Sequence, residues 1–62
     1  MTHPSSSRQQ ILLVDDEEDA LVELAESLEN EGFVCFTATS VTFALQELTL
    51  HPDIALVITD LR

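Results

Sequence analysis

The sequence predicts an α/β fold in the order strand, helix, strand, helix, strand, with a parallel sheet. Two apolar runs, at 11–14 and 54–58, continue without a break, as in strands that are covered on both faces. Between these runs, apolar residues recur at helical spacing in two segments. The connections are short, and such alternation favours right-handed parallel crossovers.

The chain begins with one predicted strand, one helix and a second strand. Residues 10–14 form the first predicted strand, and a helix follows from Glu18 to about Asn30. Gly32 is the expected stop of this helix. Residues 33–37 are rich in aromatic and β-branched side chains, which are typical of a strand.

The second half of the chain contains one helix and one strand. Thr39 or Ser40 can cap the helix, whose predicted buried stripe consists of Val41, Ala44, Leu45 and Leu48. Pro52 breaks the helix. The third strand covers residues 54–59, and only the first strand is expected beside it, so one of its edges stays bare.

Composition excludes several classes of function. The 62 residues carry a formal net charge of −10, with only two basic side chains, so direct contact with nucleic acid or anionic lipid is not expected. No apolar stretch approaches the length of a membrane span or of a signal sequence. Residues 1–9 are polar and are predicted to form a disordered leader to a domain at 10–62. We expect a cytoplasmic protein, in which the single cysteine, Cys35, packs as a small apolar residue.

Three carboxylates follow the two apolar strands. Asp15 and Asp16 come directly after the first strand, and Asp60 comes after the third. Because ligands bind beyond the carboxyl ends of parallel strands, we expect these side chains to form one acidic cluster. At a separation of about 5 Å, each like-charge pair would cost on the order of 3 kcal/mol at an effective dielectric constant of 20. A cation would relieve that cost.

The chemistry of this cluster suits magnesium and phosphoryl transfer. Oxygen ligands, few in number, are typical of Mg²⁺, which is often shared with a phosphate. A carboxylate that attacks phosphorus forms an acyl phosphate, and the cation offsets charge on both groups. The alternative is that these acidic residues are only solvated loop residues.

The sequence resembles the first half of a response-regulator receiver domain, the phosphoacceptor module of two-component signalling. The matching segments are Ile-Leu-Leu-Val-Asp-Asp-Glu at 11–17, Ala-Leu at 44–45 and Pro-Asp-Ile-Ala-Leu-Val-Ile-Thr-Asp-Leu-Arg at 52–62. The resemblance implies a flavodoxin-like, doubly wound parallel sheet of strand order 2-1-3-4-5, here truncated after its third strand.

The resemblance also implies roles for individual residues. Asp60 would accept a phosphoryl group from the phosphohistidine of a sensor histidine kinase or phosphotransfer protein, so the chain would take part in its own phosphotransfer without being an enzyme. Asp16 and Asp60 would bind Mg²⁺ directly, with Asp15 placed to reach the ion through water. The backbone carbonyl of Arg62 would be the third protein ligand.

One departure from the family pattern concerns the phosphoryl group itself. Receiver domains bind that group with a Ser or Thr and a Lys from later strands, whereas this sequence contains no lysine. We therefore expect an incomplete phosphoryl site in these 62 residues.

Three other functions are compatible with parts of the sequence. Asp15, Glu17, Asp19 and Glu26 match the calcium-ligand spacing of an EF-hand, but Ala20 stands where that loop needs glycine. A haloacid-dehalogenase-like phosphatase would need a second Asp two residues after the first, where Arg62 follows Asp60 and Glu17 follows Asp15. The third alternative is an assembly module without phosphotransfer, which forms a homodimer or exchanges strands through the bare third strand.

Overall fold

The computed structural model describes residues 8–59. These residues form one sheet and two helices in the predicted order: β1 (Gln10–Val14), α1 (Glu18–Asn30), β2 (Val34–Ala38), α2 (Val41–Leu50) and β3 (Ile54–Thr59). All strand pairs are parallel, and the sheet order is β2-β1-β3. The predicted α/β class is confirmed, and the strand order is that of the first three strands of a flavodoxin-like sheet.

The central strand β1 is the core of the fold. Leu12 and Leu13 are completely buried, and their side chains point to opposite faces of the sheet because strand residues alternate. On the face of Leu12 the core includes Ala38 and Ala44, with α2 packed above it. On the face of Leu13 it includes Leu21 from α1. One helix therefore covers each face.

The helix termini follow the local sequence. Ser40 is the N-cap of α2, and its side-chain oxygen accepts a hydrogen bond from the backbone N–H of Phe43 at 3.2 Å. This arrangement satisfies one of the donors that a helix leaves free at its start. Gly32, with φ of 100°, follows α1 in the left-handed region that glycine adopts without steric cost. Both predicted signals are confirmed.

Two predicted details of the elements were wrong. The second strand starts at Val34 rather than Phe33 and includes Ala38, because the Ala38 carbonyl accepts a hydrogen bond from Asp15 N–H at 3.1 Å and extends the pairing. The buried stripe of α2 is narrower than predicted, since Val41 and Leu45 are exposed. The apolar side chains of α2 that pack over β1 and β2 are Ala44 and Leu48.

The unbroken apolar run of β3 predicts a strand that is covered on both faces. This prediction was wrong. Among the described strands β3 has only β1 as a neighbour, and the helices pack over β1 and β2. The side chains of Leu56, Val57 and Ile58 are 51%, 43% and 37% exposed. The expectation of an apolar strand with one bare edge is confirmed.

The pairing of β3 with β1 contains one irregularity. Gln10 pairs with Ile54, but Ile11 pairs with Leu56, so Ala55 is an extra residue on β3. From Leu56 onward the register is regular and ends with Val14 beside Thr59. Such a bulge changes which face of the sheet the following side chains point to.

The predicted leader, residues 1–9, falls mostly outside the described residues. Its last residue is held by the sheet, because the carbonyl of Gln9 accepts a hydrogen bond from Val34 N–H at 2.9 Å. Neither described helix combines the length and apolarity needed to cross a bilayer.

We expect the stability of the fold to depend on close packing around β1. Ile11→Val removes one methylene from a side chain that is 3% exposed and should lower the free energy of unfolding by about 1 kcal/mol. Leu50→Ala, at a position that is 68% exposed, should change it by less than about 0.5 kcal/mol. Urea unfolding followed by circular dichroism measures the free energy of unfolding of both variants. An equal decrease in the two would contradict the described core.

Candidate functional site

The candidate site is the carboxyl-terminal edge of the sheet, where Asp15 continues directly from β1. The backbone N–H of Asp15 donates to the carbonyl of Ala38 at the end of β2. This bond extends the β1–β2 pairing by one residue and fixes the Asp15 backbone at the edge. Asp15 is half-buried, whereas Asp16 is exposed.

The Asp15 side chain organises the loop that leads into α1. Its Oδ1 atom accepts a hydrogen bond from the backbone N–H of Glu17 at 2.9 Å. This is an Asx turn, in which a short carboxylate bonds the backbone two residues later. Glu17 is then the N-cap of α1, and its carbonyl accepts the N–H of Leu21. Asp15 therefore connects the end of the strand to the start of the helix.

The turn is surrounded by further negative charge. Glu18 and Asp19 occupy the first turn of α1 and are exposed. The positive end of the helix dipole favours acidic side chains there. No lysine or arginine within residues 8–59 forms a salt bridge with any of these carboxylates. The edge is thus an acidic, solvent-facing surface.

The third predicted member of the cluster, Asp60, and the Arg62 carbonyl lie outside the described residues. The strand that leads to them ends at the same edge, because Thr59 pairs with Val14, the residue before Asp15. Residues 8–59 by themselves contain no group of three His, Cys, Asp or Glu side chains that could hold a metal ion. The predicted metal site, which needs Asp60, stays a prediction.

The EF-hand alternative is excluded by the local structure. A strand rather than a helix precedes Asp15, and α1 begins at Glu18. The calcium loop would have to include Asp19 and Ala20, which are helical here.

Sequence reasoning missed the structural role of the Asp15 side chain. The signal was available, since an Asp side chain commonly accepts a hydrogen bond from the backbone two residues later, and that residue, Glu17, directly precedes the helix. It also missed the contacts of His51, the residue that directly follows α2. The His51 ring stacks on Phe36 with centroids 4.0 Å apart, and its Nε2 lies 3.5 Å from Glu47 Oε1.

Cys35 lies away from the candidate site and packs beside the α1 face of the core, as predicted. Burial, with a smaller contribution from the nearby Glu29 carboxylate, raises the pKa of its thiol above the usual value. A raised pKa disfavours the reactive thiolate, which agrees with a packing role.

Comparison with curated proteins finds a response regulator. The chain is 41% identical over 61 residues to the two-component response regulator PprB of Pseudomonas aeruginosa. The resemblance to a receiver domain is confirmed. The match covers 98% of this chain but only 22% of PprB. No protein-family model matches the chain, and no solved structure matches it.

We expect the Asx turn to contribute to stability separately from the charge of Asp15. Asp15→Asn and Asp15→Ala both remove the charge, but only asparagine keeps a side-chain oxygen for the Glu17 N–H. The alanine variant should therefore be less stable than the asparagine variant by about 1 kcal/mol.

The same pair of substitutions at Asp16 is the matched control. Asp16 accepts no backbone hydrogen bond among those described, so its two variants should agree within about 0.5 kcal/mol. Chemical denaturation measures the free energy of unfolding of all four variants. An equal loss of stability in Asp15→Asn and Asp15→Ala would show that the Asx turn does not stabilise the fold.

Proposed function

We propose that this chain is a phosphoacceptor segment of two-component signal transduction, with Asp60 as the acceptor. The observation that carries the proposal is the pairing of Thr59 with Val14. Each of these residues is followed directly by an aspartate, Asp60 and Asp15 respectively. The 41% identity to a response regulator supports the same function.

The proposed reaction transfers a phosphoryl group between two proteins. A carboxylate oxygen of Asp60 attacks the phosphorus of a phosphohistidine on a sensor kinase or phosphotransfer protein. The P–N bond breaks, a P–O bond forms, and the histidine leaves with its electron pair and takes up a proton. The product is an acyl phosphate.

The donor set at this edge fits magnesium. Asp15 and Asp16 present hard oxygen atoms near solvent, and Asp60 with the Arg62 carbonyl would complete the ligands proposed here. When bound, Mg²⁺ would offset the negative charge of the carboxylates and of the phosphoryl oxygens. Asp15 also has a structural role, because one of its oxygens already accepts a hydrogen bond from the Glu17 N–H.

The proposal predicts labelling of one aspartate by a small phosphodonor. After incubation with acetyl phosphate and Mg²⁺, the intact mass should increase by one phosphoryl group, which should be stable in acid and labile in base. Asp60→Asn should abolish the label, and chelation of Mg²⁺ should strongly reduce it. Asp53→Asn, which changes an exposed aspartate in the turn before β3, should leave it unchanged.

Two results would contradict the proposal. Label that persists in Asp60→Asn excludes that residue as the acceptor. Absence of label from the unaltered chain, folded and with Mg²⁺ present, would show that these 62 residues do not accept a phosphoryl group from this donor.

A second candidate function is assembly through β3 without phosphotransfer. Among the strands within residues 8–59, none pairs with the second edge of β3, and Leu56, Val57 and Ile58 are all substantially exposed. A strand edge with apolar side chains on both faces is a template for pairing with another chain. The equivalent strand of a second copy would offer the same groups around a twofold axis.

Sedimentation at a series of protein concentrations tests this candidate. An assembly module should form a concentration-dependent dimer that is indifferent to Mg²⁺ and acetyl phosphate. Leu56→Lys should shift the chain to monomer, since a charge on the strand opposes pairing. Val22→Lys, at a similarly exposed position on α1 (52%), is the matched control. A chain that remains monomeric at all concentrations would exclude assembly.

A further inference from the structure

A groove lies at the carboxyl-terminal end of β2, where Thr37, Ala38 and Thr39 line it. It measures about 440 Å³ and is bounded by the first turns of α1 and by Phe43 and Glu47 of α2. Its floor includes the buried side chains of Leu21 and Ala38. Val22 and Phe43 stand beside it and are 52% and 54% exposed. Two large apolar side chains are therefore presented to solvent around one concave surface.

The strand beside the groove has unused backbone groups. Val34 N–H donates to the carbonyl of Gln9, and the Ala38 carbonyl accepts from Asp15 N–H, so these residues direct their backbone groups to β1. Alternate residues of a strand direct them to the opposite side. The backbone N–H and C=O groups of Cys35 and Thr37 therefore point away from β1, where no described strand pairs with them.

The rim of the groove is acidic. Glu18 and Asp19 line it from α1, and Glu47 lines it from α2. Within the described range, Glu47 has only the His51 ring as an ionic partner, and no salt bridge reaches Glu18 or Asp19. A partner with positive charge would face three carboxylates in an open groove.

We propose that this groove binds an extended segment of another protein, in which basic and apolar side chains alternate. The segment would add as a strand to the outer edge of β2, pairing with the backbone of Cys35 and Thr37. Because the side chains of a strand alternate between its two faces, the basic side chains would face Glu18 and Asp19 on the α1 side, and the apolar side chains would contact Phe43 on the α2 side.

A second copy of this chain is a poor occupant of the groove. The sequence has two arginines, at positions 8 and 62, and no lysine, so it contains no segment of alternating basic and apolar residues. The proposal also does not depend on phosphotransfer, because it uses neither Asp60 nor Mg²⁺. Absence of peptide binding would therefore leave the proposed phosphotransfer unaffected. Absence of phosphoryl labelling would likewise leave the proposed peptide binding unaffected.

The test uses an end-capped, fluorescent peptide of about ten residues that alternates arginine and valine. Anisotropy should show saturable binding to the full chain. Peptides with glutamate in place of arginine, or serine in place of valine, should bind at least about tenfold more weakly. Hydrogen exchange at the Cys35 and Thr37 amides should slow when the peptide is bound.

Matched variants separate the groove from the general negative charge. The pair Glu18→Gln with Asp19→Asn should weaken binding about fivefold, whereas Glu23→Gln with Glu26→Gln, the same loss of charge on exposed α1 positions outside the groove, should change it less than about twofold. Phe43→Ala should weaken it about tenfold. Leu50→Ala, which is also exposed on α2, should have no effect.

Three results would overturn the proposal. Equal weakening by both charge pairs would indicate non-specific attraction to an acidic chain. Unchanged affinity in Phe43→Ala, with circular dichroism showing a folded chain, would exclude the groove. Self-association of the chain that is lost in Phe43→Ala would make a second copy the occupant instead.

Discussion

Everything else in this structure depends on the burial of β1. Its four apolar residues, Ile11 to Val14, are at most 4% exposed, and they contact α1 on one face and α2 on the other. Both other strands pair with it. Because β1 is fixed from every side, the residue that follows it, Asp15, has a defined position at the sheet edge. The chemistry proposed for that edge requires such a fixed carboxylate.

The sequence was sufficient to predict the elements and their order, because each depends on local signals. The unbroken apolar run of β1, the Ser40 cap and Gly32 each act over a few residues. What could not be predicted depends on long-range contacts. The second strand extends to Ala38 because of a hydrogen bond from Asp15. Leu45 is exposed although it falls on the predicted apolar stripe of α2.

The candidate site was predictable in type but not in detail. Aspartates after two apolar strands indicate an acidic edge in any parallel sheet. The Asx turn, in which one Asp15 oxygen already accepts the Glu17 N–H, was not predicted although its local signal was present. A side chain with that structural bond has less freedom to rearrange around an ion than the exposed Asp16. This difference agrees with the direct role proposed for Asp16 and the indirect one for Asp15.

The extra residue in β3 offsets the pairing at the end of that strand from the pairing at its beginning. Ile54 starts the strand opposite Gln10, but the offset at Ala55 separates this start from the regular pairing that ends at Thr59. A change of one residue in the length of the α2–β3 connection could be absorbed at the bulge without displacing Thr59 from Val14. The length of that connection can therefore differ by one residue while Thr59 stays paired with Val14.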